Sequence, residues 1–247
     1  MPYSDFSNYY DCLMTDVDYE LIARWIDRKL AGHTKVTNTV VDLACGTGTL
    51  SLRLKELGYD MICVDGSYDM LSKAREKLGG NTLLLCQKMQ RLDLYGTADA
   101  VVCTLDSISH VTQTALVKEI FRRASLFLED GGVLIFDVNT PYKHRNILSD
   151  NIFVMENDEV YCVWRNFPCD ENGIVEISMD FFTESEGVYH RSTESFSERA
   201  YDIVTLSNML KDAEFDVEGI FDGYTDNEIN DTSQRAVFVA VRRKRKA

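Results

Sequence analysis

A glycine-rich loop between a buried strand and a helix is the feature that most constrains this chain. An apolar run at residues 40–44 contains Asp42, glycine then stands at the alternate positions Gly46 and Gly48, and a helical pattern of leucines begins at Leu50. Glycine adopts backbone angles that are closed to other residues and lets a ligand lie against the main chain. A helix that begins at such a loop directs free N–H groups and its positive dipole end at that ligand. The order therefore predicts a strand, a tight loop and a helix that together hold a small polar molecule.

The residues that follow narrow the kind of ligand. A dinucleotide-binding loop needs a third glycine three residues after the second, and this chain has Ser51 there. A phosphate-binding P-loop needs a lysine that this loop does not contain. The second predicted strand, residues 60–64, ends at Asp65, whose carboxylate could accept hydrogen bonds from both hydroxyls of a ribose. We expect an adenosine-containing ligand; the alternative is a doubly wound domain that binds another nucleoside or none.

The loop and its surroundings resemble a known family. Asp42 lies two residues before Ala44, and the segments 65–67 (Asp-Gly-Ser) and 70–71 (Met-Leu) follow downstream. On these residues the chain resembles the class I S-adenosylmethionine-dependent methyltransferases, whose glycine loop carries Asp-x-Ala/Gly-x-Gly-x-Gly. The resemblance implies S-adenosyl-L-methionine as the cofactor. It also implies a set of residues that hold the cofactor or support its loop, namely Asp42, Ala44, Gly46, Gly48 and Asp65.

Strand-like and helix-like segments alternate along the first half of the chain, which predicts the α/β class. The predicted strands are residues 40–43, 60–64, 82–86 and 98–105, and the predicted helices are residues 49–57, 67–78 and 112–128. A Gly131-Gly132 turn before an apolar strand resembles the start of the family's fifth strand. The implied fold is a doubly wound, Rossmann-like seven-stranded sheet. Its last two strands, residues 216–221 and 233–242, form a hairpin-like pair in which the seventh strand is antiparallel to the rest.

The pattern changes from residue 151 onwards. Four short strand-like runs follow, and Asn172-Gly173 between two of them is a strong hairpin signal. In residues 174–181 apolar and polar residues alternate, which indicates a sheet with one face in water. We therefore predict an antiparallel β meander over residues 151–200, inserted as a β-rich cap within a single methyltransferase domain of residues 1–247. In the resembled family, insertions at this point shape the acceptor pocket.

The segment before the first strand is predicted to contain an amphipathic helix within residues 9–30. Its apolar residues fall on one helical stripe, namely Leu21, Ile22, Trp25, Ile26 and Leu30. The tyrosine-rich part at residues 9–14 resembles the lid that folds over the cofactor in many small-molecule methyltransferases, which makes Tyr10 a cofactor-binding candidate. The alternative is that these tyrosines only anchor a terminal helix.

The residues after the third strand depart from the resembled family. Its members commonly carry an acidic residue there, which accepts a hydrogen bond from the adenine amino group, but here Lys88 stands at that place. An ammonium group has no acceptor. We expect a backbone carbonyl or Gln87 to replace this contact, with Met89 packed on the adenine ring.

Polar residues follow the fourth strand, at the edge where open α/β folds bind ligands. Asp106, Ser109 and His110 are candidates for the wall between cofactor and acceptor. Asp106 is also a cofactor-binding candidate, and Asp106 and His110 are catalytic candidates. Asp106 could instead cap a helical turn, and His110 could be a partly buried structural histidine. Methyl transfer from a sulfonium needs alignment and exclusion of water more than it needs a base. Where the acceptor must lose a proton, His110 is our first candidate base, followed by His144 and Tyr10.

Two further polar residues, Asp137 and Asn139, end the fifth strand and could orient an acceptor or only close the loop. Tyr142 and His144 follow on the expected open side of the site. No pair of histidines with a carboxylate has the spacing of metal ligands, so we predict no metal.

The charge of the chain limits its partners. A formal net charge of −14 would repel a nucleic-acid backbone, which disfavours a DNA or RNA substrate. The basic run at residues 242–246 is predicted to be a solvated end. Seven cysteines without a Cys-x-x-Cys pair, several of them in apolar patterns, indicate buried thiols such as Cys86 in a reducing compartment. No basic-then-apolar leader and no apolar run of about twenty residues is present, so we expect a cytoplasmic protein without a membrane segment.

The sequence therefore predicts an S-adenosylmethionine-dependent methyltransferase that acts on a small molecule. A non-catalytic cofactor-binding or regulatory module is the first alternative, because Lys88 departs from the family pattern and no base is obvious. An NAD-linked oxidoreductase is the second, and Ser51 disfavours it.

Overall fold

Eleven strands and seven α-helices make up the described part of the chain. The computed structural model describes residues 6–33 and 37–244. The strands are β1 (Thr39–Leu43), β2 (Asp60–Asp65), β3 (Leu83–Cys86), β4 (Ala98–Cys103), β5 (Leu128–Asn139), β6 (Ile152–Glu156), β7 (Tyr161–Asn166), β8 (Ile174–Ser185), β9 (Val188–Arg199), β10 (Phe215–Asp222) and β11 (Arg235–Arg242). The helices are α1 (Phe6–Leu13), α2 (Tyr19–Ala31), α3 (Thr49–Glu56), α4 (Tyr68–Leu78), α5 (Thr114–Phe127), α6 (Pro141–Lys143) and α7 (Ile203–Asp212).

The central sheet has seven strands in the order β3-β2-β1-β4-β5-β11-β10. β1 to β5 pair in parallel, whereas β11 is antiparallel to both β5 and β10. The predicted doubly wound, Rossmann-like sheet with an antiparallel last strand is therefore confirmed. Because the parallel strands all end at one edge of the sheet, the loops that follow β1, β2, β4 and β5 lie side by side.

Apolar side chains cover both faces of this sheet. Alternation along β1 directs Val41 into the cluster that contains Phe136 and Phe238, and directs Val40 into the cluster that contains Trp25 on the other face. The rings of Phe136 and Phe238 stack with centroids 4.7 Å apart. Burial of a large apolar side chain contributes about 1.5–3 kcal/mol, so these two layers fix the sheet beneath the site.

The second sheet is an antiparallel meander of β6, β7, β8 and β9, inserted between β5 and α7. The apolar residues of β8 are buried on one face, as the alternation predicts. Helix α1 packs on that face, where the Tyr9 and Phe181 rings stack with centroids 6.0 Å apart. The predicted meander is confirmed, and the description of residues 151–200 as a cap within one domain stays a prediction.

The N-terminal segment differs from the single predicted helix in one respect. Two helices, α1 and α2, are separated by a turn, and the Asp18 side chain caps α2 by accepting a hydrogen bond from the Leu21 N–H at 2.8 Å. Leu21 is 49% exposed, so its assignment to the buried stripe is wrong. Successive residues of a helix are about 100° apart, and the buried stripe is centred on Ile22, Trp25 and Ile26, which leaves Leu21 at its border.

Two further sequence-based expectations are wrong in detail. Cys86 is exposed, because β3 is the edge strand of the sheet. Arg242 is not solvated: it is the last residue of β11, is buried, and donates to the Asp130 carboxylate at 2.5 Å. Arg245 and Lys246 of the same basic run lie outside the described residues. No helix within the described ranges is long and apolar enough to cross a membrane.

Candidate active site

The glycine loop connects β1 to α3 at the carboxyl edge of the sheet. Three of its residues have left-handed backbone angles, with φ of 66° at Ala44, 54° at Gly46 and 77° at Gly48. A Cβ at Gly48 would lie 3.0 Å from Leu78 Cδ1 and 3.1 Å from Ala74 Cβ, so this glycine lets α4 pack on the loop. A Cβ at Gly46 would have no neighbour within 4 Å. Gly46 therefore presents its main chain to open space, where a ligand can approach it.

Asp42 lies buried beneath this loop. Its Oδ2 accepts a hydrogen bond from the Ser51 hydroxyl at 2.5 Å. Burial raises the pKa of Asp42 to about 7, although the Ser51 hydrogen bond acts in the opposite direction. Ser51 is itself fully buried. Ser51 stands where dinucleotide-binding loops have their third glycine, and here it donates the hydrogen bond that the buried Asp42 carboxyl group needs.

Asp65 ends β2 beside the glycine loop, as predicted. Its Oδ2 accepts a hydrogen bond from the Gly46 N–H at 2.9 Å, and its Oδ1 accepts one from the Ser67 N–H at 2.7 Å. Burial raises the pKa of Asp65, whereas these backbone bonds and the charge of His110 lower it. The Gly66 backbone also donates to this carboxylate. The two carboxylate oxygens can together accept four hydrogen bonds, so Asp65 keeps acceptor capacity for a ligand hydroxyl.

Helix α1 is attached to the glycine loop by a cluster of polar groups. The Asp11 carboxylate accepts hydrogen bonds from the hydroxyls of Thr47 at 2.7 Å and Thr49 at 3.0 Å. The Lys77 ammonium of α4 lies 2.5 Å from the other Asp11 oxygen and 2.7 Å from the Thr49 hydroxyl. These bonds hold α1 across the loop, although sequence reasoning passed over Asp11 in favour of the neighbouring tyrosines.

A narrow cavity lies between the loop and the N-terminal helices, and its walls include Tyr10, Tyr19, Gly46, Leu105 and Ser107. The Tyr10 and Tyr19 hydroxyls face each other. Burial raises the pKa of Tyr10 well above 10 and that of Tyr19 to about 12. Tyr10 therefore keeps its proton near neutral pH and is a poor base. Its position in the wall of this cavity is compatible with the lid interpretation, which stays a prediction.

The residues after β3 do not supply a side-chain acceptor of the expected kind. Lys88 is exposed, and its Cγ is the atom nearest to a Cβ built at Gly66, 3.8 Å away. Both ends of the Gln87 amide are occupied by the backbone of Asp93, at 3.1 and 2.9 Å. Met89 is half-buried against Cys103, with 3.7 Å between the sulfur atoms. Gln87 is thus engaged elsewhere, and a backbone carbonyl remains the expected acceptor.

Buried charges gather where β4 and β5 end. The N–H groups of Leu105 and Asp106 donate to the Asp137 carboxylate at 2.8 and 2.6 Å, and the Tyr224 hydroxyl donates to it as well. Arg235 of β11 donates to Asp137 and, at 2.7 Å, to Asp106. Leu105 and Asp106 both have φ of 54°, an uncommon conformation for residues with side chains. This network holds the strained turn after β4 in place.

Asp106 is an ionised carboxylate within this network. Burial acts to raise its pKa, but the charge of Arg235, together with Lys143 and His110, outweighs burial and holds the pKa at about 2. Its Oδ2 also accepts a hydrogen bond from the Asn139 amide at 3.1 Å. The Asp106 side chain makes no capping bond to the 3-10 turn that follows, so the capping interpretation is wrong. An acid with so low a pKa is a weak base near neutral pH.

His110 lies at the end of that 3-10 turn and faces the inserted sheet. Its Nε2 is 3.6 Å from Glu198 Oε1, and its ring packs against Phe196 with centroids 5.1 Å apart. The His110 side chain is 29% exposed. It is therefore within reach of a ligand, whereas Ser109, the other predicted wall residue, is fully buried.

Glu198 is the functional candidate that sequence reasoning missed. Its side chain is 4% exposed, and its Oε2 accepts a hydrogen bond from Asn139 Nδ2 at 3.2 Å. Burial and the charge of Asp106 raise its pKa. The signal that could have revealed it is the alternation at the end of β9, where Phe196, Glu198 and Ala200 occupy one face and only Glu198 is charged.

His144 does not lie on the open side of the site. It is fully buried, because the chain turns inward through α6 and a π-helical turn, His144–Leu148, after β5. Its Nδ1 lies 3.1 Å from the Gly173 carbonyl oxygen, and burial lowers its pKa to about 4. Its assignment to an open surface is wrong. Asn139, in contrast, lies in the site and accepts a hydrogen bond from Lys143 at 2.9 Å.

Three side chains of metal-binding type lie together at this point. The candidate ligand atoms of Asp106, His110 and Glu198 are all within 4.8 Å of one another. Two cations, Arg235 and Lys143, share the same cluster and already offset part of its negative charge. The sequence-based prediction of no metal stays a prediction.

Comparison with known proteins finds relatives of part of the chain and of its whole length. Residues 40–132, which contain β1 to β4 and the glycine loop, match the family model of a methyltransferase domain. Over its full length the chain is similar to YqeM of Bacillus subtilis (strain 168), which is named as a methyltransferase. The two are 30% identical over 247 residues, which cover 99% of this chain and 98% of YqeM.

Solved structures superpose on almost the whole chain. An S-adenosylmethionine-dependent methyltransferase from Clostridium acetobutylicum ATCC 824 superposes with a TM-score of 0.88 at 30% identity, covering 98% of this chain and 99% of its own. The sugar N-methyltransferase KedS8 from Streptoalloteichus sp ATCC 53650 superposes with a TM-score of 0.81 at 23% identity, covering 97% of this chain and 93% of its own.

Proposed function

Since the chain belongs to the class I S-adenosylmethionine-dependent methyltransferases, we propose that it transfers the methyl group to an amine nitrogen of a small molecule. The observation that carries this proposal is the pairing of His110 with Glu198, 3.6 Å apart, at the turn that follows β4 on the same carboxyl edge of the sheet as the glycine loop. A histidine beside a buried carboxylate suits an acceptor that arrives as an ammonium ion and must lose a proton before it reacts.

The glycine-loop side of the cavity suits S-adenosylmethionine. Gly46 presents main chain to open space, and Asp65 keeps acceptor capacity for the ribose hydroxyls at the edge of that space. Asp42, Ala44 and Gly48 shape the loop from behind. We assign Tyr10 to the wall of the methionine side and Met89 to the adenine side, on the basis of their positions around the loop.

The polar cluster at the ends of β4 and β5 suits a cationic acceptor. Asp106 and Glu198 are carboxylates, and the Asn139 amide donates to both of them. Asp106 is already paired with Arg235, whereas Glu198 has no ion pair with Lys or Arg among the described residues. Glu198 is therefore the carboxylate whose charge remains for an ammonium group or for a protonated His110.

Methyl transfer requires only a few roles of the residues in this chain. When bound, S-adenosylmethionine supplies a methyl group on a positively charged sulfur, whose bond to that carbon breaks as the bond to the acceptor forms. His110 takes the proton that the acceptor nitrogen loses and later returns it to solvent. Asp106 holds the turn that carries His110, and α1, tied down by Asp11, excludes water from the cavity.

One comparison and the net charge of the chain support a small acceptor. KedS8, a sugar N-methyltransferase, superposes over 97% of this chain. The net charge of −14 disfavours a nucleic acid as the acceptor.

Matched pairs of acceptors test this function. The purified protein is incubated with S-adenosylmethionine and with glucosamine against glucose, and glycine against glycolate, while formation of S-adenosylhomocysteine is measured. We expect turnover with an amine and none with its hydroxyl counterpart. Turnover only with the hydroxyl compounds contradicts the amine assignment. Binding of S-adenosylhomocysteine without turnover on any acceptor favours the non-catalytic alternative, and a melting shift with NAD alone favours an oxidoreductase.

A further inference from the structure

Glu198 occupies a position between two histidines. Its Oε1 lies 3.6 Å from His110 Nε2, and its Oε2 lies 3.8 Å from His144 Nε2. β9 delivers it together with Phe196, because residues two apart on a strand share a face, and Phe196 packs on the His110 ring. The inserted sheet thus presents one apolar and one acidic side chain to the same imidazole.

The contact that His144 Nδ1 makes determines which tautomer the ring adopts. A carbonyl oxygen only accepts hydrogen bonds, so the contact between Nδ1 and the Gly173 oxygen at 3.1 Å places the ring hydrogen on Nδ1. The pKa of about 4 that burial gives His144 keeps the ring neutral near pH 7. Its Nε2 therefore carries a lone pair, which faces Glu198 and has no hydrogen-bond donor among the described residues.

Glu198 consequently has two unequal neighbours. On one side is His110, which is partly exposed and within reach of a ligand, and on the other is His144, which is buried and offers only a lone pair. A proton on His110 stabilises a negative charge on Glu198, whereas the neutral His144 does not stabilise it. A proton on Glu198, in turn, can be shared with His144 Nε2. The pair formed by Glu198 and His110 can thus hold one proton in either of two places.

The other charged groups near Glu198 and His110 are paired with each other or act on Glu198 only indirectly. The charged or titratable groups that face it are Asp65, Asp106, Lys143, His144 and Arg235. Asp106 is neutralised by Arg235, with 2.7 Å between the charged atoms. Lys143 reaches Asn139 Oδ1 at 2.9 Å, and Asn139 in turn donates to Glu198, so the cation acts on Glu198 through one amide.

From this geometry we infer that Glu198 is a positioning residue for His110, and that the two form a carboxylate–histidine pair in which His144 holds the far side of the carboxyl group. Glu198 orients the His110 ring and stabilises the imidazolium that forms when His110 takes a proton. The acceptor would lose that proton, and the freed electron pair on its nitrogen would form the bond to the methyl carbon as the sulfur–carbon bond breaks and leaves its electron pair on sulfur. The proton would leave His110 for solvent when the product departs. The inserted sheet therefore supplies part of the proton acceptor as well as a wall of the pocket.

The test follows the four histidines of the chain by NMR, in protein labelled with 13C,15N-histidine and saturated with S-adenosylhomocysteine, with EDTA present. An H110N variant assigns the His110 signal. We expect the midpoint of the His110 titration to be about 1 pH unit lower in E198Q than in wild type. An opposite charge within about 4–6 Å typically moves a midpoint by 1–3 units. E198D should fall between them. E176Q, which removes an exposed carboxylate from the adjacent strand β8, should leave the midpoint unchanged.

Three results would overturn this inference. One is an unchanged His110 midpoint in E198Q while melting shows that the variant is folded. Another is a 15N spectrum in which His144 carries its hydrogen on Nε2. The third is a His110 midpoint that moves when EDTA is omitted, since a bound cation would then control the imidazole. If E198Q does not fold, E198D carries the same test with a smaller shift in the same direction.

The role of the pair in catalysis rests on the proposed function, but the titration does not require an acceptor. With the amine identified in the turnover assay, the acidic limb of kcat/KM should move to lower pH by about 1 unit in E198Q, and E198D should restore most of the difference. A shifted titration without turnover on any amine would refute the proposed function and leave the pair established. Turnover on an amine with an unshifted pH profile would refute the pair alone.

Discussion

The Ser51 hydroxyl donates to the Asp42 carboxyl at 2.5 Å beneath the glycine loop, and both residues are buried. This one bond explains why the third glycine of dinucleotide-binding loops is absent. A buried carboxyl group needs a partner, and a hydroxyl at this point of α3 supplies it. The loop is thereby supported from below by a polar pair instead of by close helix–strand packing.

Removing this partner should destabilise the protein. In S51A the Asp42 carboxyl loses its hydrogen bond without gaining access to water, so we expect a loss of about 1–3 kcal/mol in the free energy of unfolding at pH 8. Urea denaturation measures it. The loss should be smaller at pH 5, where Asp42 is mostly protonated. A loss below about 0.5 kcal/mol at pH 8 would show that the bond contributes little.

Asp42 also predicts a dependence of stability on pH. Its pKa in the folded state is about 7, above the ordinary value of 3.8, so the folded state binds a proton more tightly than the unfolded state. The resulting stabilisation is full below about pH 4 and is lost as the pH rises through 7. Relative to D42N, wild type should therefore lose about 4 kcal/mol between pH 4 and pH 8. A constant difference between the two proteins across this range would contradict the raised pKa.

The two glycines of the loop should respond differently to alanine. G48A places a methyl group about 3 Å from Leu78 and Ala74 at a φ of 77°, so we expect a loss of stability of at least about 2 kcal/mol. G46A meets no protein atom and carries only the strain of its φ of 54°, about 1–2 kcal/mol. Its methyl group enters the space proposed for the cofactor, so calorimetry should show S-adenosylhomocysteine binding weakened at least about tenfold. Equal stability of the two variants, or unchanged affinity in G46A, would contradict this division of roles.

Replacement of Asp65 and replacement of His110 should have different effects, the first on cofactor affinity and the second on turnover. D65A removes the acceptor for the ribose hydroxyls, so S-adenosylmethionine affinity should fall more than about tenfold by calorimetry. H110A should leave that affinity nearly intact while slowing turnover on the order of 100-fold. If both variants lose affinity alike, His110 belongs to the cofactor site; if H110A turns over at the wild-type rate, it is only a wall residue.

The attachment of α1 gives a prediction about motion. D11A removes the acceptor of Thr47 and Thr49 and the partner of Lys77, so the amide hydrogens of α1 should exchange at least about tenfold faster. D16A, at an exposed aspartate in the turn after α1, is the matched control and should change little. Saturation with S-adenosylhomocysteine should slow the exchange of α1 in wild type. Exchange that is equally fast in both variants would show that Asp11 does not hold the helix.

The features that sequence could predict are those that a short stretch determines by itself. The alternating pattern of β8, the acidic end of β2 and the glycine loop are local, so their positions were predicted within a few residues. Glu198 and His110 meet only because β9 of a separate sheet packs on the turn after β4, and no local pattern encodes that contact. The same reason explains His144, whose burial depends on the start of β8, and Asp11, whose partners belong to the loop and to α4.

Transfer of a methyl group to an amine nitrogen is the central claim, and the fate of the methyl carbon tests it most directly. S-adenosylmethionine labelled with 13C in its methyl group is incubated with the protein and the amine that supports turnover, and the product is examined by 13C NMR. We predict that the label is bonded to nitrogen and that an equal amount of S-adenosylhomocysteine forms. Label bonded to oxygen or carbon, or label that stays on the sulfonium while the cofactor binds, would contradict the account.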